Sequence, residues 1–195
     1  MKSEEIALRA GRLDEPHITQ AQREARDYVV SNGRLTGHEY GVALHNSAVI
    51  QRFTSNHQNG IAIPDFSGYP LNSVEVHHNH PVGDSFSASD IKLLLHRSDV
   101  GRIFVHGHNG FFAEAFTQAA PLTQDAAALL VQSAKSRAQT LLAHAVQAGA
   151  VSYVQANAGL WPVVMAAVLE GQGHIGYAVN SGPLRDLVKK VVRHG

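Results

Sequence analysis

The chain has 195 residues, of which 44% are hydrophobic and 16% are charged, so a packed core is expected and intrinsic disorder is not. The formal net charge is zero, which argues against binding to nucleic acid or to a membrane through overall charge. The absence of cysteine excludes disulfides and thiolate metal sites, so any transition metal must bind imidazole and carboxylate groups, and histidine is plentiful with 13 residues.

Helices and strands alternate in the first part of the chain. Residues 3–12 predict a short helix, and Thr19 is placed to cap a second helix that ends at Asn32-Gly33. A further helix is predicted over 88–96, followed by a hairpin turn at Asn109-Gly110. Apolar alternation between turn residues predicts five strands: 38–44, 48–53, 71–78, 102–106 and 111–116.

The second part of the chain is richer in helix. The predicted order is a long amphipathic helix, a strand-like VSYV segment, an apolar helix, a glycine-rich stretch and a final helix: 123–148, 151–154, 162–171, 171–182 and 183–195. We therefore predict an α/β (α+β) fold with a mixed β-sheet flanked by helices. The expected organisation is a core with leading helices over 1–118 and a helical C-terminal extension over 119–195.

The segment that carries the candidate chemistry is HHNHPVGDSFSASDI, which begins at His77. Side chains alternate between the two faces of a strand, so His78 and His80 share one face and His77 points to the other. Pro81 keeps the residue before it extended, which places His80 at the end of a strand. Two imidazoles on one face of a strand end are well placed to grip one metal ion.

A carboxylate follows at the start of the next predicted helix. Ser87 and Asp90 are three residues apart and share the first-turn face of that helix. The six residues between His80 and Ser87 are enough to turn the chain and bring Asp90 to the histidines. Two imidazoles and one carboxylate leave a fourth tetrahedral position for water, which is the arrangement of a catalytic zinc.

Such a water needs a general base, and Glu39 is the candidate. Glu75 is closer in sequence, but strand parity places it with His77 on the opposite face, and Glu114 on the later hairpin is a weaker choice. Each feature alone has a plainer interpretation, since Ser-x-x-Asp is often only a capping box. Their conjunction favours a metal site.

The pattern of Glu39, then His78-x-His80, then Ser87-x-x-Asp90 resembles the JAB/MPN (JAMM) superfamily of metalloproteases. The HNHP-x-GD run is similar to the bacterial RadC-like branch. The longer phrase HNHPVGDSFSASDI is similar to JAB-like domains of phage head proteins and bacterial toxins. The resemblance covers roughly residues 38–118. The gap between His80 and Ser87 is one residue shorter than the usual eukaryotic spacing, and the phage-type variants share this shorter gap.

The resemblance implies a role for each of these residues. His78, His80 and Asp90 bind zinc, Glu39 is the general base, and Ser87 donates a hydrogen bond to the developing oxyanion. It also implies a zinc-dependent peptidase or isopeptidase that acts on a protein or peptide, including ubiquitin-like conjugates.

Two other functions stay open. RadC-like relatives indicate a non-catalytic JAB module for partner binding or a DNA-linked process, although a neutral chain does not favour tight, sequence-independent DNA binding. The phage and toxin relatives indicate a toxin or effector domain, which implies an immunity protein as partner. The apolar helices after residue 120 either pack on the core or bury a homodimer face.

Several other features have a simpler expected role. His106-Gly107-His108 is a second His-x-His, but no Ser-x-x-Asp follows it, so a structural or solvent-facing role is expected. His77 and Asp84 are candidates for contacts to the metal ligands. The sequence shows neither a signal peptide nor an apolar run of membrane-spanning length, so we expect a soluble, cytoplasmic protein, with signal-independent secretion left open.

Overall fold

The structure, a computed structural model, describes residues 17–194, so the helix predicted over 3–12 lies outside the described residues. Within that range, one six-stranded sheet is flanked by five main helices. In chain order the elements are α1 Gln20–Thr36, β1 Tyr40–His45, β2 Ala48–Thr54, β3 Val74–His80, α2 Ala88–His96, β4 Val100–Gly107, β5 Phe112–Thr117, α3 Gln124–Gln147, α4 Trp161–Gly171, β6 Ile175–Val179 and α5 Gly182–His194.

The sheet is mixed, with the strand order β2-β1-β3-β4-β5-β6. β3 and β4 are parallel, and every other neighbouring pair of described strands is antiparallel. A parallel pair needs a crossover connection, which α2 supplies between β3 and β4. This architecture confirms the predicted mixed sheet flanked by helices.

Different helices cover the two faces of the sheet. On β3, Val74 and Val76 are fully buried in the main core with α2 and α3. The alternate residue Glu75 faces α1, where it accepts a hydrogen bond of 2.6 Å from Gln22 Nε2. α1 itself is anchored by Val29, which packs in a smaller apolar cluster against β1. β3 therefore presents His78 and His80 to the α2 side and His77 to the α1 side.

The segment after residue 118 shares the core of the first part. Leu141 of α3, Leu169 of α4 and Val188 of α5 are buried in the same apolar cluster as Ile103 of β4. β6 pairs with β5 and completes the sheet. The apolar helices therefore pack on the core, which is one of the two alternatives drawn from the sequence. Across residues 17–194, none of the helices combines the length and apolar character needed to cross a bilayer.

The N-cap of α1 is confirmed, but its predicted end is wrong. Thr19 forms a capping box with Gln22, as helix-starting Thr residues often do. The helix then continues through Gly33 to Thr36 and ends at Gly37, whose φ of 76° is the left-handed conformation common after a helix. Gly33 lies within the helix, at a point where the side chain of Asn79 leaves no room for a Cβ.

Two predictions in the C-terminal part are also wrong. The VSYV segment is not a strand, because Ser152 caps a short helical turn, Tyr153–Gln155. The chain then kinks at Gly159, whose φ is 79°, before the next helix begins. The glycine-rich stretch 171–182 contains β6, whose five residues are all buried. A strand buried on both faces lacks the polar alternation by which half-buried strands are found, so the glycines dominated the prediction.

Candidate metal centre

Two histidines and one aspartate converge at the C-terminal end of β3. The Nε2 atoms of His78 and His80 lie 3.1 Å apart. Asp90 Oδ1 is 3.6 Å from His78 Nε2, and Asp90 Oδ2 is 3.7 Å from His80 Nε2. Among the described residues, this is the one group of at least three His, Cys, Asp or Glu side chains that could hold a metal ion.

The geometry of this group fits a small tetrahedral ion. Ligands about 2.0–2.1 Å from a zinc ion at tetrahedral angles are about 3.3 Å from one another. The observed separations of 3.1, 3.6 and 3.7 Å lie close to that value. The structure thus brings together the three predicted ligands, His78, His80 and Asp90, with imidazole and carboxylate donors that suit zinc.

Asp90 is positioned by the start of α2. Its Oδ2 accepts a hydrogen bond of 2.7 Å from the backbone N–H of Ser87, and its own N–H donates to Ser87 Oγ at 3.2 Å. Ile91 and Leu94 anchor this helix in the core, where both are fully buried. The Ser-x-x-Asp sequence is therefore a capping box whose carboxylate also faces the histidines.

The loop 81–86 carries the chain from β3 back to α2. It turns at Gly83, whose φ is 75° and whose N–H donates to the carbonyl of His80 at 3.0 Å. Asn109 packs on this turn and donates to the carbonyl of Gly83 at 3.2 Å. The hydroxyls of Ser85 and Tyr177 lie 2.8 Å apart in the core and tie the loop to β6. The loop is thus fixed at Gly83 and at Ser85.

A further carboxylate orients His80. Asp84 Oδ1 lies 2.8 Å from His80 Nδ1, so the ring donates its Nδ1–H and keeps the Nε2 lone pair for a metal. Burial lowers the pKa of His80, but the hydrogen bond to Asp84 and the charge of Asp90 outweigh burial and raise it. Conversely, this hydrogen bond is the main reason that the pKa of Asp84 is lowered. The sequence predicts that Asp84 contacts a metal ligand, and in the structure it contacts His80.

The pKa of Asp90 is held low. Burial on its own raises this pKa, but the charge and hydrogen bonding of His78, the charge of His80 and the hydrogen bond from Ser87 together outweigh it. Asp90 is therefore ionised at neutral pH, which is the form that binds a cation.

Glu39 is buried beside the ligands. It directly precedes β1, and its backbone is fixed on both sides by the carbonyl of His57 at 2.8 Å and the hydroxyl of Thr54 at 2.7 Å. The residue is only 6% exposed. Burial raises its pKa, the charges of His78 and His80 oppose that rise, and those of Asp90 and Asp84 add to it.

One cavity of about 290 Å³ joins these groups. Glu39, His80, Ser87 and Asp90 all line it, so the structure brings the predicted base and oxyanion donor to the candidate metal ligands. The segment 58–61 from the irregular loop also lines the cavity. No periodicity or motif marks that segment, so its place at the site follows only from the folded chain.

The two alternative general bases, Glu75 and Glu114, do not line this cavity, and neither does the second His-x-His pair. Glu75 faces α1, as strand parity predicted, and Glu114 pairs with Arg102 on the same side of the sheet. His106 Nε2 lies 3.0 Å from His77 Nδ1, and His108 Nε2 lies 3.0 Å from the amide of Asn79.

Fold and site together define a mixed α/β protein with a His-His-Asp group able to hold a metal ion, set in a cleft with a buried glutamate. Comparison of the chain with models of protein families, with curated proteins and with solved structures gave no match. The functional argument therefore rests on the residues of the site.

Proposed function

We propose that this protein is a zinc-dependent hydrolase of JAB/MPN type that cleaves a peptide or isopeptide bond. The observation that carries the proposal is the convergence of His78, His80 and Asp90, two of which, His80 and Asp90, line one cavity. Glu39 and Ser87 line the same cavity. Three protein ligands with an open fourth position distinguish catalytic from structural zinc sites.

The ligands come from two rigid elements, the end of β3 and the first turn of α2. A bound zinc ion supplies Lewis acidity and brings the pKa of a coordinated water to about 7. Asp84 holds His80 in the tautomer whose Nε2 lone pair faces the other ligands. The capping hydrogen bond from Ser87 fixes the carboxylate of Asp90 in the same way.

Glu39 acts as the general base and then as the acid. Its carboxylate accepts a proton from the attacking water and delivers it to the leaving nitrogen. The raised pKa of Glu39, caused first by burial, makes its carboxylate a stronger acceptor for the proton of the attacking water.

Ser87 has a hydroxyl group available for the oxyanion. Its Oγ accepts the N–H of Asp90, so the hydroxyl proton remains free to be donated into the cavity that Ser87 lines. A donor held by a helix cap needs little reorganisation as charge develops on the substrate carbonyl.

The test is turnover by the zinc-loaded protein on two probes, isopeptide-linked ubiquitin dimers and a quenched fluorescent peptide library. We expect Glu39→Gln to keep its zinc and to reduce turnover by about 10²–10⁴-fold. Glu24→Gln, on the exposed side of α1, is the matched control and should cleave like the wild type.

Two results would count against this proposal. Turnover that survives in Glu39→Gln would show that another group is the base. Zinc-loaded wild type that cleaves neither probe would favour the non-catalytic, partner-binding alternative.

A further inference from the structure

The backbone on either side of Glu39 is bonded to one side chain, that of Asn79. The N–H of Tyr40 donates to Asn79 Oδ1 at 2.7 Å, and Asn79 Nδ2 donates to the carbonyl of His38 at 3.1 Å. A backbone N–H can only donate and a carbonyl can only accept, so these two partners fix the orientation of the amide. Asn79 is fully buried, which shields both bonds from water.

Asn79 takes over where the backbone pairing of β1 with β3 ends. The last pair of this antiparallel ladder joins Gly41 to His78. Beyond that pair, the side chain of Asn79 supplies the β1 side with an acceptor and a donor in place of backbone groups. The chain that carries Glu39 is therefore joined to β3 past the end of the regular sheet.

The residues 38–40 are held along both of their edges. On the β2 side, the N–H of Glu39 donates to the carbonyl of His57, and its carbonyl accepts from the hydroxyl of Thr54. Successive residues of an extended chain direct their backbone groups to opposite edges, so the groups before and after Glu39 face β3. There they meet Asn79, whose amide holds the second edge.

Asn79 also lies between two of the candidate metal ligands, His78 and His80, in one buried strand. Side chains alternate along a strand, so the Asn79 side chain points to the α1 side of the sheet, away from the ligands. The position of Gly33 in α1 agrees with this, because a Cβ there would collide with the amide of Asn79. The anchor of Glu39 and both imidazoles thus share three consecutive residues of β3.

The remaining N–H of the amide is engaged as well. Asn79 Nδ2 lies 3.0 Å from His108 Nε2, and since Nδ2 is a donor, the ring accepts at this position. Burial, followed by the charge of Arg34, lowers the pKa of His108, which favours the neutral ring that this contact needs. With both N–H groups and the oxygen bonded, the amide is held rigidly.

We infer that Asn79 is a positioning residue that holds the general base Glu39 at the metal centre. This inference rests on the proposed hydrolase function. A general base must lie within about 2.6–3.2 Å of the group whose proton it takes, and a misplacement of about 1 Å can reduce the rate by about 10²-fold. Asn79 does not line the cavity, so it acts through the backbone of Glu39.

The chain offers a matched control for this bridge. Asn180 donates to the carbonyl of Gly110 at 2.9 Å and accepts the N–H of Phe112 at 2.9 Å. It therefore spans one residue between two backbone groups, as Asn79 does, but it does not line the cavity of the metal centre. Asn79→Ala and Asn180→Ala each remove one such bridge, and only the first bridge holds Glu39.

The experiment measures zinc content and turnover of both variants on the probes described above. We expect Asn79→Ala to keep its zinc and its KM and to lose kcat by about 10–100-fold, whereas Asn180→Ala should cleave like the wild type. In a Glu39→Gln background, Asn79→Ala should cause no further loss, because it acts through the carboxylate that is already gone.

Hydrogen exchange at the Tyr40 amide gives a readout that needs no catalysis. Loss of the bond to Asn79 should speed this exchange by about fivefold or more in Asn79→Ala, and Asn180→Ala should leave it unchanged. Asn79→Asp keeps the side-chain volume and the acceptor for Tyr40 but loses both donors. It should show the same loss of kcat, with Asn180→Asp as its control, and it carries the test if the alanine variant does not fold.

Four results would overturn the inference. Loss of zinc from Asn79→Ala would show that Asn79 supports the ligands rather than the base. An equal loss of kcat in Asn180→Ala, or a further loss on top of Glu39→Gln, would show a general effect on the fold. Unchanged exchange at Tyr40 would show that the bridge does not hold the segment. A wild type that cleaves neither probe is a separate failure, that of the proposed function, and the exchange at Tyr40 still reports on the anchor.

Discussion

The backbone N–H of Ser87 donates a hydrogen bond of 2.7 Å to the carboxylate of Asp90, so a single side chain both caps α2 and faces the candidate metal ligands. Helix capping and metal binding are separable here. The cap needs a side-chain acceptor at Asp90, whereas tight cation binding needs its negative charge.

Substitutions at these two positions should therefore have opposite effects. Asp90→Asn keeps an oxygen for the Ser87 N–H but loses the charge, so we expect zinc binding to fail while thermal stability of the apo-protein changes little. Ser87→Ala removes the cap to the Asp90 N–H and should lower the free energy of unfolding by about 1 kcal/mol while zinc stays bound. Zinc titration and thermal melts of both variants measure this. Loss of zinc from Ser87→Ala but not from Asp90→Asn would reverse the assignment.

Asp84 should control metal affinity without being a ligand. Its carboxylate orients His80 through the 2.8 Å contact, and loss of such a partner typically reduces metal affinity by about 10–100-fold. We expect Asp84→Asn to bind zinc more weakly by that factor in competition with a chelator. Asp186→Asn, at an exposed position on α5, is the control. Wild-type affinity in Asp84→Asn would mean that His80 needs no such orientation.

Gly33 should not tolerate alanine, although alanine is the better helix former by about 1 kcal/mol. A Cβ at this position would collide with the side chains of Asn79 and His108. We expect Gly33→Ala to lower the free energy of unfolding by about 1–3 kcal/mol, measured by urea denaturation. Gly60→Ala, where a Cβ meets no atom, should leave the stability nearly unchanged. A stabilised Gly33→Ala would show that α1 does not pack this closely on β3.

Asp99 should make stability depend on pH. It is buried and accepts hydrogen bonds from Arg97 Nε at 2.7 Å and from the N–H of Phe66 at 2.9 Å. Burial alone raises the pKa of Asp99, but the hydrogen bond and charge of Arg97 and the N–H of Phe66 outweigh it and lower the pKa. The folded protein therefore binds fewer protons here than the unfolded chain does at acidic pH.

This contribution is fully present above the unfolded pKa of about 3.9 and is lost as the pH falls through the lower folded value. Removing one partner of a buried ion pair usually destabilises by about 3 kcal/mol, so Asp99→Asn should show a deficit of that order at pH 7. Urea denaturation of both proteins should show this deficit shrinking below pH 4. A deficit independent of pH would mean that the charge of Asp99 is not what stabilises the fold.

The candidate ligands could be predicted because their arrangement is local. Strand parity places His78 and His80 on one face, and the first-turn position of Asp90 follows from the helix start at Ser87. The side of the sheet occupied by Glu75 followed from the same parity. The identity of its partner could not be predicted in this way. Gln22 lies 53 positions earlier in the chain, and nothing in a single sequence shows how α1 packs against β3.

Features that depend on contacts between residues far apart in the chain could not be predicted from the sequence. The neighbours of Gly33 come from β3 and the β4–β5 hairpin, so a glycine after Asn32 looked like a helix end. β6 was hidden because all of its residues are buried. The contact between His77 and His106 exists only because β3 and β4 are adjacent and parallel, and the two histidines are 29 positions apart.

The most direct test of the account is zinc content per chain, measured by mass spectrometry on tag-free protein for the wild type and His80→Ala. His80 is 7% exposed and its Nε2 faces both other ligands, so its loss should open the site. We predict about one zinc ion per wild-type chain, as one three-ligand site requires, and none in His80→Ala. A wild type that stays metal-free when zinc is supplied, or a variant that retains the ion, would contradict the metal centre described here.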